Sequence, residues 1–360
     1  MEVFIALFVY LLFIKAFVNS HRRGMICILA GIGLWLVLAL RSPYCGIDLV
    51  TGVSGSSNYY NMFVKASSSS FFEILSGELS SISSMERGWL LYCMLASYIS
   101  SYFQVFLAIT ALIQLVLIGF IIYKYSTDII LSYIVYFCFG LYIMSFSGIR
   151  QSTAFAITFF SVHFLLNKEN RKFILTVLLA ASIHNSAFIF LLAFPLYNMR
   201  FTSANSLIAI IGVFFLLPFL SAIINTVVPF VFGSRYNNYQ DTGGAITLFL
   251  LYVIIYILSL KILIENQKDN LIRGLIVMAV ACQSLGSIGS GAITRIGFYF
   301  TIFFTLLFPE LVNVYSTNKN KSIMTFFMSL LLFVFFYWTN KDGYLDVIPY
   351  YFFWENPFID

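Results

Sequence analysis

Apolar runs follow one another along almost the whole chain, and polar residues gather in short clusters between them. A run of about 17 to 25 apolar residues has the length of a helix that crosses a hydrocarbon core about 30 Å thick. The pattern predicts spans over residues 3–18, 25–40, 103–123 and 129–145, one starting at Arg150, and others over 245–263, 271–285, 296–314 and 323–338. Residues 88–100 are too short to cross and carry Trp89, Tyr92 and Tyr98, which predicts an interfacial helix with an aromatic anchor.

The polar clusters set the orientation, because Lys and Arg accumulate in cytoplasmic loops. His21-Arg22-Arg23, Lys124, the run Asn167-Lys168-Glu169-Asn170-Arg171-Lys172, the Lys261, Lys268 and Arg273 turn, and Lys319 with Lys321 are all expected inside. The two ends of the chain agree only if residues 173–228 make an odd number of crossings. Two apolar stretches fill that segment, so one is expected to be a hairpin that enters and leaves by the same side. Residues 173–197 are the better candidate, since Ser182, His184, Asn185 and Ser186 interrupt their centre; a hairpin at Pro218 is the rival. Irregular backbone at that depth is tolerated where protein or a watery cavity covers it, so the interruption itself points to a site.

The expected architecture is an all-α polytopic membrane protein with about ten transmembrane helices, a re-entrant hairpin and an interfacial helix. It forms one membrane domain over 1–360, with external parts at 42–100 (loop and interfacial helix), 231–244 (loop) and 340–360 (C-terminal tail). Composition agrees: 61% of residues are hydrophobic and 10% charged, against about a quarter charged in soluble domains. The net charge of +5 is spread over connecting loops and includes no basic tract, which excludes a nucleic-acid partner. The 5 cysteines are dispersed, without the spacing of a zinc site or a disulfide framework. Glu2 stands where a secretory signal would carry basic residues, so the first apolar run reads as a retained span.

On this topology Arg41, Arg87, Arg150, Arg235 and Arg295 lie outside, where the charge rule disfavours them. Snorkelling accounts for any single one. Several together point to anion binding, since guanidinium groups are planar, permanently charged forks suited to phosphate oxygens. Arg150 and Arg295 stand in Ser147-Gly148-Ile149-Arg150-Gln151-Ser152 and Ser290-Gly291-Ala292-Ile293-Thr294-Arg295, at span ends. Asp48 and Glu86 are candidate general bases toward a hydroxyl group, or partners for the arginines. His184, deep in its stretch, could relay a proton or donate to a phosphate, and a hydrogen-bonded packing role is nearly as good a reading. His163 and His21 are given no role, His163 having no polar neighbours in the sequence, and 3 scattered histidines make no metal site. Arg235 lies among Tyr236, Asn237, Asn238, Tyr239 and Gln240, groups suited to stacking on and hydrogen bonding to sugar rings.

These residues, in this order, resemble the EpsG and Wzy-type family of bacterial polysaccharide polymerases. The resemblance rests on Arg41 with Gly46 and Asp48, Glu86-Arg87-Gly88-Trp89, Gly148-Ile149-Arg150-Gln151 and Ala181-Ser182-Ile183-His184-Asn185-Ser186-Ala187. It continues through Arg235-Tyr236, Arg295 and Ile348-Pro349-Tyr350. It implies a membrane glycosyltransferase similar to the GT-C type that works without a metal or other cofactor. The enzyme would move a growing O-antigen or exopolysaccharide chain from undecaprenyl pyrophosphate onto the next lipid-linked repeat unit, at the periplasmic face of the inner membrane, possible partners including a chain-length regulator. Glu86, Asp48 and His184 would be its catalytic groups. Arg41, Arg150, Gln151, Arg235, Tyr236, Arg295 and Tyr299 would bind substrate. A flippase for the lipid-linked oligosaccharide and a membrane O-acyltransferase are the competing readings; the first would show internal repeats and the second a histidine in polar company near the cytosol.

Overall fold

The computed structural model describes residues 1–49, 58–77, 85–202, 204–212, 245–288 and 291–355. The described residues are helical, apart from turns, connecting segments and one isolated antiparallel bridge between Arg41 and Phe352. The elements are α1 (Glu2–Phe17), α2 (Arg23–Ala39), α3 (Tyr59–Ser67), α4 (Phe71–Ser76), α5 (Arg87–Ser97), α6 (Phe103–Tyr125), α7 (Ile129–Cys138), α8 (Leu141–Ser147), α9 (Ile149–Leu166) and α10 (Asn170–Ile183). A 3-10 helix (Asn185–Leu192) and α11 (Ala193–Asn198) follow, then α12 (Ala245–Ser259), α13 (Gln267–Ile288), α14 (Gly291–Thr301), α15 (Phe304–Tyr315) and α16 (Lys321–Asn340).

Among the described residues, two helices, α6 and α16, are long and apolar enough to cross a membrane unaided, and up to four spans result if each of two bent pairs counts as one. The sequence pattern reads residues 129–145 and 296–314 as single spans; the structure breaks both. α7 and α8 meet at 53° and α14 and α15 at 54°. Gly140, in the left-handed region at φ +77°, makes the first break, a conformation glycine adopts without steric cost. α1 and α2 have 16 and 17 residues, at the short limit of a crossing helix. Large apolar side chains nevertheless point outward from these helices, among them Val9, Phe13, Ile28, Val116, Leu331 and Val334, as the surface of a helical membrane protein requires.

Residues 173–197 turn back on themselves. The α10 helix stops at Ile183, His184 is extended at φ −150°, and the 3-10 helix begins at Asn185. A continuous helix would hold Phe173 and Phe190 about 25 Å apart at 1.5 Å per residue; their ring centroids are 6.3 Å apart. The rival Pro218 lies outside the described residues.

One end of the bundle is tied by charge. Lys15 pairs with Asp128, and Arg23 donates to the carbonyls of Tyr123 and Ser126 at 2.9 and 2.8 Å, so the ends of α1 and α2 close on the α6–α7 turn. At the other end the segment around Arg41 is sewn to the C-terminal stretch. Ser42 N–H donates to the Tyr351 carbonyl at 2.8 Å, Gly46 N–H to Asp346 at 3.1 Å, Ile47 N–H to Leu345 at 3.1 Å and Phe353 N–H to Leu40 at 2.9 Å. Beneath this clasp Phe4, Phe137, Phe146, Phe336 and Tyr350 form an aromatic core, Phe137 and Phe336 being 4.5 Å apart. Trp89, expected as a surface anchor, is instead fully buried against Tyr59, Tyr92 and Phe106. Its period on an 11-residue helix turns it toward α6, and Tyr98 at the far end is the exposed aromatic.

Candidate functional site

Three helix ends meet at one carboxylate. Glu86 is the residue before α5, Arg150 opens α9, and His184 occupies the break after α10. Arg150 Nη1 pairs with Glu86 Oε2. The Asn185 N–H donates to Glu86 Oε1 at 3.1 Å, and His184 Nδ1 lies 3.3 Å from the same oxygen. The glycine of Glu86-Arg87-Gly88-Trp89 makes this approach possible: a Cβ at Gly88 would sit 2.7 Å from the Ser182 carbonyl carbon. Arg150 is backed by the Tyr59 ring, 5.8 Å from its guanidinium carbon, and its Nη1 reaches Met85 Sδ at 3.2 Å.

The side chains of Glu86, Arg150 and His184 are 9%, 18% and 18% exposed, so the cluster is sheltered and still reachable. Burial alone would raise the Glu86 pKa. Contact with His184, the Arg150 and His184 charges and the Asn185 N–H outweigh it and hold the carboxyl down at about 2, so at neutral pH it is an anion. Helix starts favour negative charge, and Glu86 stands at the start of α5.

Other residues singled out by the sequence join the cluster. Gln151 Nε2 donates to the Arg295 carbonyl at 2.5 Å, bringing α14 against α9. The Arg150 and Arg295 guanidinium groups both lie within electrostatic reach of the His184 ring. The Tyr299 hydroxyl is 3.0 Å from Ser186 Oγ, and Tyr299 is fully buried, which makes it a support for the break. Asp48 is half-buried, accepts a hydrogen bond from Ser147 Oγ at 3.2 Å, and offers its carbonyl to the Tyr59 N–H at 3.1 Å. It therefore stands beside the α8–α9 junction.

Arg41 is placed differently. It is 1% exposed, donates from Nη1 to the Ser145 carbonyl at 2.8 Å, and lies 4.9 Å over the Phe146 ring. A cation at the end of α8 satisfies carbonyls that the helix leaves without partners, and a side chain so enclosed has no path to a ligand. Arg235 and Tyr236 lie outside the described residues.

Sequence reasoning missed the Tyr59 ring under Arg150 and the Asn185 N–H on Glu86, because neither partner is near in the chain. It also misjudged His163, which has polar company after all. Lys124 Nζ and the Tyr125 hydroxyl lie 3.1 and 2.8 Å from its Nδ1, and Asn167 Nδ2 lies 3.1 Å from Nε2; two of these come from α6, out of sight in the local sequence. Among the described residues, no three His, Cys, Asp or Glu side chains gather as metal ligands do.

No curated protein and no solved structure matches the chain. The family model that does match covers residues 24–352, from the start of α2 to the C-terminal clasp, and so includes every element that brings Glu86, Arg150 and His184 together. On that match, the chain belongs to the EpsG family.

Proposed function

We propose that this protein polymerises lipid-linked oligosaccharide repeat units, moving the growing glycan from undecaprenyl pyrophosphate to the next repeat at the external face of the bacterial inner membrane. Membership of the EpsG family supports polysaccharide polymerisation in general. The observation that carries the finer reading is the convergence of Glu86, Arg150 and His184 with Arg295 in electrostatic reach. In this reading the architecture has about ten spans, like GT-C-type glycosyltransferases. Helices shorter than an independent span cross as members of a packed bundle, and residues 173–197 form the re-entrant hairpin that places His184 at depth.

The reaction is a displacement at the anomeric carbon. The acceptor hydroxyl oxygen forms the new C–O bond, the bond from that carbon to the diphosphate breaks, and the hydroxyl proton goes to a base. Charge grows on the departing diphosphate, and fixed positive groups placed there lower the barrier. Arg150, Arg295 and Arg235 are assigned to it, with Tyr236 on a sugar ring. A carboxyl held at about 2 is too weak a base to accept the proton at neutral pH. Glu86 is therefore assigned to hold the Nδ1 side of His184, leaving Nε2 to take the proton, the division of labour of a carboxylate–histidine pair. Asp48, beside the α8–α9 junction, is the second candidate base.

Deletion of the gene followed by a gel of surface glycan tests the reading. Lipid capped with a single repeat is expected; complete loss of surface glycan would instead indicate a flippase. Long chains built at normal yield by Arg150→Lys and Arg295→Lys would remove the guanidinium groups from the mechanism.

A further inference from the structure

At the end of α6 and α9 away from Glu86, an apolar groove and a cationic cluster share one residue. The groove, about 430 Å³, runs between α2 and α6 and is floored by Gly31 and Gly119 and walled by Ile28, Ile32, Val116 and Phe120. Its wall residues are exposed rather than packed: Ile28 is 64% and Val116 59% accessible. Phe120 also belongs to the cluster, with its ring 5.2 Å from that of His163 and Lys124 Nζ 5.8 Å above it. Lys124, Tyr125 and Asn167 all bring potential donors to His163. Arg23 flanks the groove mouth, donating to the Tyr123 carbonyl.

We propose that this is a site for one anionic phospholipid, its acyl chain in the α2–α6 groove and its phosphate on Lys124, Tyr125 and His163. Three observations favour a lipid over a helix of a second copy. The groove is bounded by a helix long enough to span a membrane. Its walls are apolar, and the groups gathered at its end are donors. An ammonium group at the membrane surface attracts anionic headgroups, whereas an apolar helix offers the cluster nothing to bind. The site lies about 30 Å along α6 from the Phe103 end near the polymerisation site, at 1.5 Å per residue, so it is separate from the proposed diphosphate ligands and depends only on the membrane setting.

The test is native mass spectrometry of the full-length protein in detergent with added phosphatidylglycerol or phosphatidylcholine. Retained phosphatidylglycerol in excess over phosphatidylcholine is expected. Lys124→Gln, an exposed position, should lower that retention about fivefold, the contribution of one surface cation, and leave phosphatidylcholine unchanged. Gly31→Leu should lower both lipids; a Cβ there meets only the Tyr133 hydroxyl at 3.6 Å, so the helix accepts it. Thermal melting with inorganic phosphate provides the second arm. Stabilisation by inorganic phosphate equal to that by lipid would assign the cluster to a free anion and overturn the proposal. Equal retention of both lipids would overturn it too, as would a dimer that Gly31→Leu dissociates without changing lipid retention.

Discussion

Arg41 and Arg150 flank the same helix junction and are used in opposite ways. Arg41 is sealed under the C-terminal clasp, held by a backbone carbonyl and an aromatic face, with its Nε lacking an acceptor among the described residues. Arg150 pairs with a carboxylate that also contacts His184, and its side chain stays 18% exposed. A buried guanidinium that meets only neutral partners holds structure together. One that meets a carboxylate and stays partly exposed can exchange that anion for the oxygens of a ligand. The same residue type, beside the same break, thus divides between scaffold and chemistry according to what surrounds it.

The sharpest way to break this contrast is to remove Arg150. Arg150→Ala leaves Glu86 buried without its cation, and stranding one member of such a pair costs about 3–5 kcal/mol. A marked fall in melting temperature and no chain growth are expected. In the double variant Glu86→Gln with Arg150→Met both charges are gone, so melting should recover while polymer remains absent. Normal chain lengths from the double variant would show that the pair is only structural.

Gly88→Ala comes next. Its Cβ would press on the Ser182 carbonyl and push the start of α5 away from the break, and a displacement of about 1 Å in a reacting constellation can cost about 10²-fold in rate. Polymer made per folded molecule should fall by about that factor, with a loss of stability of about 1–3 kcal/mol from overpacking.

How far the site was legible follows from such contacts. Glu86-Arg87-Gly88-Trp89 and the polar interruption at Ser182 to Ser186 were visible because each violates the surrounding apolar pattern. That they touch was not, since Gly88 and Ser182 are brought together only by the return of α10. Span positions were legible from apolar runs. The breaks at Gly140 and before Phe304 were not, because an apolar run reads the same whether its helix is straight or bent by 53° or 54°. Arg41 was read as a ligand because it was expected on the same outer side as Arg150 and belongs to the same family resemblance; the burial that separates them involves residues 345–353, some three hundred positions later.

Changes at the clasp should be milder. Arg41→Met removes a charge-assisted hydrogen bond, a loss of about 1.5–3 kcal/mol, partly offset by removing a buried nitrogen with no acceptor. Gly46 has φ +126°, and a Cβ there would meet the Phe146 carbonyl group, so Gly46→Ala should lose about 1–3 kcal/mol through strain. Both should lower the melting temperature and the amount of folded protein, while each folded molecule still builds long chains. Loss of polymer with an unchanged melting temperature in Arg41→Met would move Arg41 to the substrate surface.

Acid titration separates the two arginines in a further way. The Glu86 carboxyl lies at about 2 in the folded protein, against an ordinary value of 4.5. A folded value below the unfolded one means that the stability it adds is complete above about pH 4.5 and is lost as pH falls toward 2. The melting difference between the native protein and Glu86→Gln should therefore shrink as pH falls from about 4.5 toward 2. The difference for Arg41→Met should stay flat over the same range, because no carboxylate contacts Arg41 among the described residues. Parallel behaviour of the two variants would mean that Glu86 has no special tie to Arg150 and His184, and the contrast between the arginines would disappear.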